Sequence, residues 1–336
     1  MNTVKHSLVN PEISVITTVY NCKNFIDQSI ESILSQTFRN YEFIIVDDGS
    51  IDGTTEIIKE SAAKDNRIVP VYLQSNSGRV FSLNKAIELS KGKYIAIQDA
   101  DDVSLSERLF KQYNFLEENS EYLLVGSNIF IIDETGKIIS RPLRPENDNE
   151  LKFSLLFKCT FANPSIMYRR NVLTENNILY EENFNHAEDF RLISLINNLG
   201  KVHNIKDILI EHRRHGENNS IVNYDKLNSG STIIVRENFR QLGIDISDER
   251  ALRIRKLLAS KGIDRENICD DIRFLFMAVK EFQSRYRTVK NREVIKTLKR
   301  MLKWLGKKNL IMKPNHLVLY NSILSYYLKE TFVLKN

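Results

Sequence analysis

Four short apolar runs alternate with amphipathic segments across the first hundred residues, and this rhythm constrains the fold more than any other feature. Ile13–Val19 reads ISVITTV, residues 41–46 YEFIIV, 68–73 IVPVYL and 94–97 YIAI. Such near-continuous, β-branched runs predict buried strands. Between the first two, Phe25, Ile26, Ile30, Ile33 and Leu34 recur at helical spacing. Ile57 and Ile58 mark a second helix, and Leu83, Ala86, Ile87 and Leu89 a third. Alternation at this spacing predicts βαβ units and a largely parallel sheet. Ligands of such sheets bind beyond the carboxyl ends of the strands. Here three of those ends are polar or acidic, at residues 18–21, 47–50 and 99–102.

The fourth run ends in Gln98-Asp99-Ala100-Asp101-Asp102, three carboxylates within four residues. Adjacent like charges repel, and a strand end desolvates them. Two readings fit. One is a solvated acidic turn capping the next helix. The other is a seat for a hard divalent cation, which takes carboxylate oxygens and leaves room for phosphate oxygens. No GxGxxG or Walker A pattern is present, which argues against a dinucleotide or P-loop site.

Composition narrows the setting. An apolar share of 42% over 336 residues supports a sizeable core. The net charge of +5 demands neither nucleic acid nor membrane. Cys22, Cys159 and Cys269 lie far apart without CxxC spacing, so neither a zinc framework nor a disulfide scaffold is expected, and a cytoplasmic setting is. The opening MNTVKHSLVNPEIS lacks the apolar core of a signal peptide. No window reaches the roughly 18 uncharged apolar residues of a spanning helix.

Four stretches in register carry a resemblance: Pro11 to Asn21, Ser32 to Thr37, Glu42 to Ser50 (EFIIVDDGS) and Tyr94 to Asp102 (YIAIQDADD). They resemble the family 2 glycosyltransferases with the GT-A fold, densely over roughly the first two-thirds of the chain. The resemblance implies an α/β domain with a Rossmann-like, mostly parallel sheet flanked by helices. It implies a nucleotide-sugar donor, Mn²⁺ or Mg²⁺, and inversion at the anomeric carbon. By the same likeness Asp47 holds the base and Asp99 lies near ribose and uracil. Donor contacts come from Thr18, Tyr20, Asn21, Asp48, Asn84 and Ala100 as well. Asp101 ends the DxD-type triplet and coordinates metal, with Asp102 as an extra neighbour that shares or replaces that role.

Downstream, residues 123–132 read as a strand and 137–139 pair back across a turn. Residues 161–170, FANPSIMYRR, resemble the family's strand beneath the acceptor cleft. Glu188 and Asp189 open a helix carrying Leu192, Ile193 and Ile196. Acidic residues in a first turn often do no more than complement the helix dipole. Under the resemblance this is the ED motif, with Asp189 the general base and Glu188 positioning the acceptor. Inverting transfer needs one carboxylate to take the acceptor hydroxyl's proton as its oxygen attacks. Residues 211–220, EHRRHGENNS, follow an expected strand at 207–210 and read as a polar loop. They resemble the family's YRxHxxxxS segment, with Glu211-His212 in place of the usual tyrosine. That makes His215 a metal ligand or diphosphate contact, and Arg213 or Arg214 a counter-charge for the diphosphate.

After residue 223 the likeness fades into helices expected over 225–246, 248–260 and 268–286. Residues 290–308 form a two-faced basic segment and 316–332 an aromatic, aliphatic one. The basic segment suits an anionic membrane surface or a small helical bundle as a pattern, and packing is the favoured expectation because the neighbouring helices need a partner. The sequence therefore predicts a catalytic domain over 1–223 and a helical region over 224–336 that serves acceptor, membrane-surface or oligomer contacts. The expected activity is metal-dependent transfer from a UDP-sugar to a glycan or lipid-linked acceptor in surface polysaccharide synthesis. The rival reading is a non-catalytic nucleotide-sugar-binding subunit of the same fold. A nucleotidyltransferase would want a Gly- and Lys-rich loop after the first strand, and Tyr20-Asn21-Cys22-Lys23-Asn24 is not one.

Overall fold

The computed structural model describes residues 10–216, 218, 222–259, 264 and 266–286. The two-faced segment at 290–308 and the aromatic one at 316–332 lie outside the described residues. By compactness the chain divides into two units, one of residues 1–148 and 159–230, the other of 149–158 and 231–336.

The first unit is built on β1 (Ile13–Val19), buried along its whole length, between parallel β2 (Tyr41–Asp47) and β4 (Tyr94–Ile97). Strand β3 (Ile68–Tyr72) extends the sheet beyond β2. Helices α1 (Ile26–Leu34), α2 (Thr54–Lys64) and α3 (Arg79–Leu89) make the crossovers. Ile26, Ile30 and Ile33 of α1 fall on one helical face and pack against Ile13, Val15, Phe43 and Tyr94. After β5 (Val103–Ser104) come α4 (Arg108–Glu118), β6 (Tyr122–Ile132), β7 (Ile138–Ser140), α5 (Asp148–Leu155), β8 (Met167–Arg169) and α6 (Arg170–Glu175). Helix α7 (Glu188–Leu199) and β9 (Lys201–Arg213) follow. The sheet order is β3-β2-β1-β4-β8-β6-β9-β5, with β7 on β6. Its long pairings are parallel, and the antiparallel ones involving β4–β8, β6–β8, β5–β9 and β6–β7 span two or three residues each.

Two local expectations change. Of residues 161–170 only Met167–Arg169 is strand. Asn163–Ser165 is a 3₁₀ turn, because Pro164 fixes its own φ and has no N–H for a ladder. The strand expected at 207–210 is far longer: β9 follows β6 in parallel from Lys201 to Arg213, and Val103 pairs with Glu211 on its other side. Glu211, His212 and Arg213 are therefore strand residues, not loop.

Behind β2, Asp48-Gly49 makes a tight passage. Gly49 has φ +77°, and a Cβ there would sit 2.7 Å from the Ser75 carbonyl carbon. Gly49→Ala combines a left-handed backbone with a backbone clash, so a loss of roughly 2 kcal/mol is expected. Chemical denaturation measures it, and an unchanged midpoint would refute the strain.

The described part of the second unit is helical: α5 supplies 149–155, with α8 (Tyr224–Gln241), α9 (Asp248–Ala259) and α10 (Ile268–Arg285). Its core is a chain of edge-on aromatics, Phe282–Phe153–Phe157–Phe239–Phe274, with centroids 5.2–5.4 Å apart. The apolar stripe of α10 (Ile272, Leu275, Phe276, Val279, Phe282) is buried, as its helical spacing implies.

Candidate active site

The carboxyl ends of β1, β2 and β4 form connected loops. Asp47 accepts the Ser50 N–H at 3.0 Å on one oxygen and the Thr55 hydroxyl at 2.5 Å on the other. Asp48 accepts the N–H groups of Ser77 (2.7 Å) and Gly78 (2.9 Å), fixing the entry to α3. Asn21, at φ +50°, accepts the Ile51 N–H at 2.9 Å and donates its own N–H to the Ser50 hydroxyl at 2.9 Å. The β1 loop is thereby tied to the β2 loop. Beside it Tyr20 stands exposed, while Thr18 and Ala100 are buried. Asn84 is turned elsewhere. Its amide bonds the Tyr180 carbonyl (2.9 Å) and N–H (3.0 Å), holding the segment before α7.

The acidic turn separates into three roles that its spacing alone does not distinguish. Asp99 Oδ1 accepts Arg79 Nη2 at 2.7 Å and the Asn163 amide at 3.0 Å. Asp101 Oδ2 meets His215 Nε2 at 2.9 Å and accepts the Asn218 amide at 3.1 Å. Asp102 is wholly buried, with one oxygen 2.9 Å from His212 Nδ1 and the other accepting the Arg213 N–H at 2.7 Å. Asp102 is an anchor that holds the turn to the end of β9.

Beneath the turn Gln98 is a hub. Its amide donates to the Ser29 hydroxyl and the Asp102 carbonyl, and its oxygen accepts from Ser104 and Arg108. Arg108, fully buried, also donates to the Ile97 carbonyl at 2.6 Å. Burial drives its pKa down to about 9, against the fields of Asp99 and Asp102, so it keeps its charge at neutral pH. Arg213 is a second buried staple, donating to the Asp101, Asp133 and Glu134 carbonyls and to Gln28, with Phe25 under its guanidinium. Arg214 is exposed.

Opposite, Glu188 and Asp189 open α7 after His186, whose φ of +78° is costly for a residue with a Cβ. Glu188 is buried, with Oε1 accepting Arg79 Nε at 2.9 Å and Oε2 without a partner among the described residues. Asp189 Oδ1 accepts the Phe190 N–H at 2.6 Å. Burial, then the neighbouring Glu188 carboxylate, pushes Asp189 up to about 7, against the Phe190 N–H and Arg79. A carboxylate so raised is a competent proton acceptor near neutral pH.

At Asp101, burial favours the protonated acid, but the His215 hydrogen bond and the nearby His212 and His215 rings hold its pKa below the ordinary value. At His212, burial opposes protonation, but Asp102 prevails and pushes the ring up to about 9. The Asp102–His212 pair therefore keeps a shared proton at neutral pH. Asp102→Ala would strand the Arg213 N–H and His212 together. A loss of about 2 kcal/mol is expected, at the low side for a broken pair because His212 is partly open to water. Thermal unfolding reads it, and an unshifted transition would contradict the anchoring role.

The spacing of the motifs left Arg79, Asn163, Asn218 and the Gln98–Arg108 hub without a role. Asn163 was visible as a lone amide before proline in an apolar run. Arg79 carried no signal beyond its place at a helix start.

Among the described residues no group of three or more His, Cys, Asp or Glu side chains is placed to hold a metal ion. Asp101 and His215 are hydrogen-bonded to each other at 2.9 Å. By donor chemistry, one carboxylate oxygen and one imidazole nitrogen suit a divalent cation that takes the rest of its shell from phosphate oxygens.

Residues 14–176 match the sequence profile described as Glycosyl transferase family 2. An uncharacterised glycosyltransferase of Haemophilus influenzae is 32% identical over 272 residues, 76% of this chain and 82% of that protein. The O-antigen biosynthesis glycosyltransferase WbnJ of Escherichia coli is 37% identical over 164 residues, 48% of this chain and 63% of that protein. Among solved structures, S. aureus TarS 1–349 with UDP-GlcNAc superposes with a TM-score of 0.58 at 18% identity, covering 95% of this chain and 92% of that one. The mannosyltransferase PcManGT of Pyrobaculum calidifontis, with GDP-Man and Mn²⁺, gives 0.55 at 14% identity over 96% and 86%. At such identities the superpositions speak for the fold, the GT-A arrangement.

Proposed function

Since the chain belongs to glycosyl transferase family 2, we propose that it moves a sugar from a UDP-sugar to a hydroxyl of a glycan or lipid-linked acceptor in surface polysaccharide assembly. Transfer inverts the anomeric carbon. The observation that carries this reading is the meeting of two differently tuned acidic centres, Asp101–His215 and Glu188–Asp189, through Arg79 and Asp99. One suits a bound cation and diphosphate, the other a proton.

Asp47 and Asp48 shape the loops for the nucleoside, with Tyr20 exposed beside them. Asp101 and His215 are the residues that would hold Mn²⁺ or Mg²⁺. When bound, that cation supplies Lewis-acid charge to the departing diphosphate. Glu188 orients the acceptor, its Oε2, without a partner among the described residues, suiting a hydroxyl donor. Asp189 takes the acceptor proton while the new C–O bond forms and the bond to the nucleotide breaks, so UDP departs as the anion. The region over 224–336, helical in most of its described residues, meets the acceptor, a membrane surface or another subunit. Among the described residues no helix is long and apolar enough to cross a membrane.

A thermal-shift screen of UDP-, GDP- and other nucleotide-sugars with and without Mn²⁺ tests the donor. Stabilisation by UDP compounds that needs the cation is expected. Stabilisation by another nucleotide class alone would overturn the UDP assignment.

A further inference from the structure

We propose that Arg79 is a positioning residue for the transfer reaction, its guanidinium holding the Glu188–Asp189 pair against the donor-side Asp99 and offsetting the pair's charge. The inference rests on Asp189 being the base. Arg79 is the first residue of α3, and Asp48 fixes its backbone by accepting the two preceding N–H groups, Ser77 and Gly78. From there the side chain reaches across the site. Nε donates to Glu188 Oε1 at 2.9 Å and Nη2 to Asp99 Oδ1 at 2.7 Å, so one planar fork spans two carboxylates from different elements. A lysine ammonium, a single point on a flexible stem, cannot reproduce both bonds in that geometry.

The charge balance around the base shows what the fork does. Asp189 is faced by Glu188 on its own helix, Arg79 from α3, Asp99 from the turn after β4 and the buried Cys159 thiol. Arg79 is the cation in that set. Glu188 is 7% exposed on its side chain and Arg79 29%, so the Arg79–Glu188 contact is only partly screened by water. Without the guanidinium, two adjacent carboxylates would share a buried corner beside a third. Asp189 would then hold its proton and lose its use as a base. Because the same fork touches Asp99, the donor-side carboxylate and the base are set by one side chain. Burial works against charge on Arg79, but Asp99 and Glu188 outweigh it and keep the group firmly protonated.

The test is the titration of the Asp189 carboxyl itself, followed by ¹³C NMR of aspartate-labelled full-length protein, with Asp189→Asn identifying the resonance. Arg79→Gln is expected to raise the midpoint by about one unit or more, and Arg79→Lys by less. Thermal unfolding checks that each variant is folded. An unmoved midpoint in folded Arg79→Gln overturns the proposal; if the Gln variant does not fold, an unmoved midpoint in Arg79→Lys does so. Failure of the base assignment is distinguishable, because it shows as transfer retained in Asp189→Asn whatever Arg79 does to the titration.

Discussion

Asp189→Asn is expected to lower transfer by about 10²–10⁴-fold while leaving donor affinity within about twofold, because the substitution removes the proposed general base and general-base catalysis contributes that much. Asparagine has nearly the shape of aspartate, and its carbonyl oxygen can still accept the Phe190 N–H that Asp189 Oδ1 accepts at 2.6 Å. The helix start at Glu188 therefore survives, and so does the Arg79 fork, which binds Glu188 and Asp99 and not Asp189. What is lost is the carboxylate at the start of α7 that burial and Glu188 push up to about 7. Steady-state turnover and UDP titration calorimetry measure the two effects separately. Turnover at the wild-type rate would remove Asp189 from the mechanism. A parallel loss of UDP binding would mean that the substitution had disturbed the donor loops instead.

Asp101→Ala should separate the other half of the site. The expected result is a loss on the order of 10³-fold in transfer, the several kcal/mol that a Lewis-acid cation supplies, with UDP affinity no longer responding to Mn²⁺. The neighbouring Asp102→Ala is predicted to fail differently, through stability. The contrast follows from where the two side chains point. Asp101 meets His215 and Asn218, and Asp102 is sealed against His212 and the β9 backbone. If Asp101→Ala left both turnover and the metal response of UDP binding intact, the cation would have to be assigned elsewhere or abandoned.

The contrast also marks the limit of the sequence. The β-branched run at Ile13–Val19 and the spacing of Ile26, Ile30 and Ile33 are local patterns, and they placed the central strand and first crossover helix correctly. The acidic strand ends were equally visible. Which member of an acidic run faces solvent is set by contacts distant in the chain. Asp102 is buried because β5 pairs with β9, which brings His212 to it across 110 residues. Pairing with β6 carries β9 on through Glu211, His212 and Arg213, a stretch whose composition reads as loop. Arg213 looked like a counter-charge for phosphate, yet its N–H groups serve carbonyls 79–112 residues away and Gln28, 185 residues away. A guanidinium does not announce in sequence whether it will face a ligand or staple a turn. Arg79 shows the converse. It sits in no acidic cluster, and only the fold brings it between carboxylates 20 and 109 residues away.

The most direct test of single-displacement transfer is the anomeric configuration of the first-formed product. Proton NMR can follow it as UDP-GlcNAc and related α-linked UDP-sugars are turned over in the presence of Mn²⁺. A single attack driven by Asp189 gives product of β configuration, with UDP released in step. A first-formed product that keeps the α configuration excludes a single displacement from the back face. That outcome, or the absence of UDP release from any UDP-sugar, would contradict the account.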